Sequence, residues 1–148
     1  MTKDRPSTDG PPGDLILELR IFAKPEQLKR VRSAVREAAM GAGCSENCAE
    51  EVVIALNEAC MNVMKHGYQL DPSGEMTVQL AVDRGRLVAW LADQCAPIGQ
   101  SELKSRPLED LRPGGLGVHF MRECMDDVTF LAPPTGLGNL LQMTKAIS

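Results

Sequence analysis

Hydrophobic and polar positions change period several times along the chain, and each change predicts an element. From Asp14, Leu15, Leu17, Leu19 and Ile21 alternate with Ile16, Glu18 and Arg20, the pattern of a strand with one face on a core. Pro25 suits a first helical turn, and Leu28, Val31, Ala34, Val35, Ala38 and Ala39 recur at helical spacing until Gly41 and Gly43 stop them. Ser45 is positioned as the N-cap of a second helix over 46–66, with Glu46, Glu50 and Glu51 complementing its dipole and Gly67 ending it. Residues 76–82 and 87–92 alternate again around Asp83-Arg84-Gly85, which predicts an antiparallel hairpin. A long loop over 94–114, a third helix after Gly117 that turns Val118, Phe120, Met121 and Met125 inward, and strands at 127–132 and 139–146 complete the chain. The order predicts an α/β (α+β) sandwich, a mainly antiparallel mixed sheet of about five strands with three helices on one face.

Inside the second helix the apolar pattern is interrupted at Glu58, Asn62 and His66, which four-residue spacing places on one face. On spacing alone such a stripe reads first as a solvated helix face. A carboxylate can also act as a general base, and an amide oxygen is a hard ligand suited to Mg²⁺, so Glu58 and Asn62 fit phosphoryl transfer. Asp93 leaves a buried strand and can accept a hydrogen bond from an adenine amino group. Gly114-Gly115-Leu116-Gly117 stands at the mouth of the third helix, where bare backbone and unpaired amides suit phosphate. The three features in this order suggest a nucleotide site.

Composition narrows the classes. The chain has 148 residues, enough for one domain with its own core. Residues 1–13, rich in proline and glycine, read as a disordered tail before a domain at 14–148. A net charge of −4 and 3% aromatic residues supply neither a basic groove nor stacking platforms, which excludes nucleic acid as an expected partner. No window is apolar enough for a membrane span and the first residues lack a secretory core, so the expected location is cytoplasmic. The five cysteines contain no C-x-x-C pair and are read as reduced, mostly buried thiols.

Asn57-Glu58-Ala59-Cys60-Met61-Asn62-Val63-Met64-Lys65-His66-Gly67-Tyr68 resembles the N box of the histidine-kinase-like ATPase superfamily, the Bergerat ATP-binding fold. Asp93, the glycine cluster, Met125-Asp126-Asp127-Val128 and Met143-Thr144-Lys145 extend the likeness over nearly the whole chain after residue 14. Within that superfamily it resembles the small bacterial anti-sigma-factor serine/threonine kinases of partner-switching systems. The resemblance implies Glu58 as catalytic base and Asn62 as ligand to Mg²⁺. It further implies that Asp93 binds the adenine amino group, that Gly115 and Gly117 line the phosphates of ATP, and that Thr144 lies near the base. Where the family's first glycine box has glycines two and four residues after its aspartate, this chain has Cys95 and Pro97, side chains expected to crowd the adenine pocket.

The same resemblance implies a homodimer that sequesters a sigma factor and phosphorylates an anti-sigma factor antagonist of the STAS type. Arg32 matches a helix-one position through which relatives engage partners. Lys29, Arg30, Arg32 and Arg36 otherwise read as a solvated basic face on an acidic protein. His66, beside Gly67, is read as a C-terminal dipole partner rather than a base. Two alternatives share the fold: a non-catalytic protein-binding module, and the detached catalytic domain of a sensor histidine kinase.

Overall fold

The computed structural model describes residues 10–95, 121–132 and 138–147. Strands β1 (Asp14–Phe22), β2 (Glu75–Asp83), β3 (Arg86–Asp93), β4 (Asp127–Leu131) and β5 (Asn139–Ala146) form one sheet in the order β1-β2-β3-β5-β4. Every pairing among them is antiparallel, so the sheet is not mixed. Helices α1 (Gln27–Gly41) and α2 (Glu46–Asn62) cover one face, and a helical turn at 121–124 precedes β4. Most of the third expected helix, with Val118 and Phe120, lies outside the described residues; Met121 and Met125 are buried as expected.

The helices form because their apolar positions repeat at three and four residues, giving each a stripe to bury. Leu28, Val31, Val35 and Ala39 of α1 and Val52, Val53, Leu56, Ala59 and Cys60 of α2 meet Leu19, Ile21, Val78, Leu80, Ala89 and Leu91 of the sheet in one core. The Ser45 hydroxyl accepts the Cys48 N–H at 3.1 Å and caps α2 as expected. Helix α1 ends where Gly43 turns left-handed (φ +108°). Arg84 and Gly85 are both left-handed, the two-residue turn that matches strand twist in the β2–β3 hairpin.

Two expectations change here. Residues 10–13 lie against β2: Pro11 is buried, and a side chain at Gly13 would run into the Val82 carbonyl. The second helix does not stay α-helical to 66. After Asn62 it widens into a π turn (Val63–Gly67), in which Tyr68 N–H bonds Val63 O at 2.8 Å, five residues back. His66 therefore lies in the π turn rather than in the α-helix that carries Glu58 and Asn62.

The basic face of α1 is partly spent inside the fold. Arg36 makes a bidentate pair with Glu50 of α2 at 2.9 and 3.0 Å, and Arg32 donates to Asn57 at 3.1 Å. Lys29 and Arg30 remain exposed. No helix among the described residues is long and apolar enough to cross a membrane. All five cysteines are free thiols, with Cys44, Cys48 and Cys60 buried.

Burial pushes the Cys60 thiol up to about 12. The unfolded chain ionises this group above about pH 9 while the native core keeps it protonated, so its contribution is intact below that pH and is lost as pH rises toward 12. Urea unfolding between pH 8 and 10.5 will show stability falling with pH, and Cys60→Ala will flatten the slope by up to about 1.4 kcal/mol per pH unit.

Candidate functional site

The site begins where an apolar row of β3 ends in a carboxylate. Leu87, Ala89 and Leu91 face the helices, and Asp93, next in the same row, is only 4% exposed. A buried carboxylate needs donors. Asp93 Oδ1 accepts the Cys95 backbone N–H at 2.9 Å and the Asn139 Nδ2 amide at 3.1 Å. Asn139 stands directly opposite Asp93 in the β3–β5 register, and Gly138 N–H donates to the Asp93 carbonyl at 2.7 Å. Position 138 has no room for a side chain, because a Cβ there would run into the Cys95 carbonyl.

The end of α2 is stitched to the same loop. Burial holds the Tyr68 phenol above its ordinary pKa, and this neutral hydroxyl donates to Glu75 O at 2.7 Å and accepts Gln94 N–H at 2.8 Å. Cys95 Sγ occupies the space that a side chain at Gly67 would need. The expected crowding by Cys95 is therefore directed at Gly67, and Cys95 is absent from the cavity wall. Gln69 and Leu70, just beyond, adopt left-handed backbone (φ 53° and 67°), a local strain of the kind that collects near functional sites.

A cavity of about 20 Å³ opens between these elements. Asn62 and Val63 line it from the helix side, Leu91, Asp93, Asn139 and Leu141 from the sheet, and Met121 and Phe130 from the remaining edge. It is the size of about one water, so a purine would have to spread its walls. The Asn62 Nδ2 atom is buried and has no hydrogen-bond partner among the described residues. Rotated about its last torsion, the same amide presents Oδ1, a hard oxygen ligand, in that place. Mg²⁺ thus fits the amide in chemistry. Among the described residues no cluster of three or more histidine, cysteine or acidic side chains offers an all-protein metal cage. Glu58, half-buried, lies one α-helical turn before Asn62.

Asn62 and Asp93 thus meet at one cavity, with Glu58 on the next turn. Gly115 and Gly117, with Pro97, lie outside the described residues. Thr144 is a correction. It pairs with Val88, on the sheet face away from the helices, five residues along β5 from Asn139, or roughly 17 Å at strand rise. Its hydroxyl accepts Arg86 Nη2 at 2.7 Å, next to Gln142 and Asp127. The residue beside Asp93 is Asn139, which the motif reading missed; the cue was a Gly-Asn pair at the start of an alternating run. Arg32 is half-buried against Asn57, and His66 lies in the π turn outside the cavity wall.

Comparison with known proteins bears on the family and the fold. The chain matches the family model described as "Histidine kinase-like ATPase domain" over residues 21–145. It is 31% identical over 139 residues to the serine-protein kinase RsbW of Bacillus mycoides, covering 88% of this chain and 84% of that protein. With the serine-protein kinase RsbW of Bacillus subtilis it shares 30% over 120 residues, 76% of this chain and 75% of the other. The structure of the RsbU and RsbW domains of Rv1364c from Mycobacterium tuberculosis superposes with a TM-score of 0.62 at 19% identity, over 88% of this chain and 32% of that one. That last likeness concerns the fold. With the family model matched from β1 to β5 and Asn62 and Asp93 facing one cavity, the chain belongs to the histidine kinase-like ATPase domain family.

Proposed function

We propose that this chain is an ATP-binding anti-sigma factor with serine/threonine kinase activity, which sequesters a sigma factor and phosphorylates an anti-sigma factor antagonist in a partner-switching system. The observation that carries the reading is the meeting of Asn62, whose buried Nδ2 has no partner among the described residues, and Asp93 at one cavity. The relatives named as serine-protein kinases support the reaction type.

In this reading Asp93 accepts the adenine amino group, and Gly115 and Gly117 approach the phosphates. Asn62 would hold Mg²⁺, which neutralises charge on the phosphates when bound. Glu58 takes the proton of the antagonist's hydroxyl as its oxygen attacks the γ-phosphorus; the bond to the β-phosphate oxygen breaks and ADP leaves. Placing Glu58 one turn from Asn62 keeps the base and the metal-holding amide on the same helix, so positioning supplies much of the rate. Arg32, though bonded to Asn57, keeps an accessible edge on α1 and is the proposed contact for the protein partner. The exposed apolar side chains of the edge strand β1, Leu15, Ile16 and Phe22, support pairing with a second copy.

Transfer of labelled γ-phosphate from ATP and Mg²⁺ to a cognate antagonist tests the reaction. Glu58→Ala should lower transfer by about 100-fold or more while ATP still binds; unchanged transfer rejects the kinase assignment, and binding of ATP without any wild-type transfer leaves a non-catalytic binding module. Asp93→Asn should abolish measurable ATP binding by titration calorimetry, because an amide there presents a donor where the adenine amino group needs an acceptor. For the dimer, sedimentation velocity should give twice the chain mass, and Phe22→Glu should shift it toward the monomer.

A further inference from the structure

The Asp93 carboxylate is held from two directions, and both hydrogen bonds among the described residues fall on one oxygen. The Cys95 N–H, two residues on, bonds Oδ1 at 2.9 Å, a local turn that ties the carboxylate only to its own stretch of chain. Asn139 Nδ2 bonds the same Oδ1 at 3.1 Å from β5, which is paired on both sides by β3 and β4. The Asp93 and Asn139 side chains lie opposite one another on the helix-facing side, and both line the cavity. The anchor from β5 therefore ties the carboxylate to the sheet rather than to the loop, and Oδ2 is left as the acceptor for a ligand.

We infer that Asn139 is a positioning residue that sets purine specificity, fixing Asp93 so that Oδ2 meets a base amino group and opposes a base carbonyl. The inference rests on the reading of this cavity as the adenine pocket. An ionised carboxylate is acceptor-only, so an aminopurine gains a charge-assisted bond while the 6-carbonyl of guanine sets acceptor against acceptor. Discrimination of this kind depends on the acceptor staying in place. A carboxylate free to rotate can turn Oδ2 away from guanine and so forgives it. Gly138 contributes by closing the backbone against Cys95 and Asp93, which fixes where the Asn139 side chain starts.

The test is titration calorimetry of the full chain with ATP and with GTP. Asn139→Leu keeps side-chain size and removes the donor; Asn139→Ser restores a donor hydroxyl. Asn139→Leu should weaken ATP about tenfold and GTP less than about twofold, the loss of roughly one net hydrogen bond to a charged acceptor. Asn139→Ser should recover most of the preference for ATP. Equal weakening of both nucleotides, or a lowered melting temperature with an unchanged ATP-to-GTP ratio, overturns the inference and shows that Asn139 only packs. If Asp93→Asn leaves ATP binding intact, the adenine-pocket reading itself fails. If Asp93→Asn abolishes binding while Asn139→Leu leaves the ratio unchanged, the pocket stands and the role of Asn139 does not.

Discussion

A carboxylate at the end of an apolar strand row is the constraint on which this end of the molecule depends. Asp93 continues the inward row of Leu87, Ala89 and Leu91, so strand alternation carries it into the protein rather than into water. Burying it without donors would cost several kcal/mol. Its donors come from the following loop and from β5, and supplying them fixes both. Cys95 N–H bonds Oδ1 from the start of that loop, and Asn139 and Gly138 bond the same residue from the β5 side. One charged group thereby sets the register of the strand pair and the entry of the loop.

The helix side answers this with an absence of side chain. Family glycine is expected two residues after the aspartate, and here Cys95 stands in that place. The space is found at Gly67, where the π turn brings backbone against Cys95 Sγ. Extra bulk on the loop and lack of bulk on the helix end are complementary, and Cys95 stays off the cavity wall that Asn62 and Val63 line from the helix side. Tyr68 then closes the join by bonding the backbone of residues on either side of it, Glu75 and Gln94.

How much of this was legible depended on whether a face was exposed. Strand β1 and helices α1 and α2 each have one wet side, so their apolar periods fixed the elements and the core residues. Strand β5 is flanked on both edges and buried on both faces, with Leu140 on one side and Leu141 and Met143 on the other. Alternation there does not say which row faces the helices, and nothing local says which residue meets Asp93. That is why Thr144 could be set beside the base from motif resemblance, and why Asn139 was missed. The π turn was hidden for a related reason: one extra residue in a helical turn leaves the spacing of Glu58, Asn62 and His66 unchanged in the sequence, so the pattern reads as one continuous helix.

The division between helix and sheet has a consequence for how the site can work. The groups assigned to phosphate chemistry, Glu58 and Asn62, ride on α2, whose Ser45 cap and buried stripe fix it to the core. The groups assigned to the base, Asp93 and Asn139, ride on neighbouring strands. Both sets are held by regular structure, so their separation is set by helix-on-sheet packing rather than by loop conformation. Among the described residues, Met121 and Phe130 line the remaining edge of the small cavity between them, the latter on the five-residue strand β4. An unbranched methionine and a short edge strand yield more readily than a central strand or a capped helix. Of the described walls that edge yields most readily to a purine, with the hydrogen-bonding groups left where the fold already holds them.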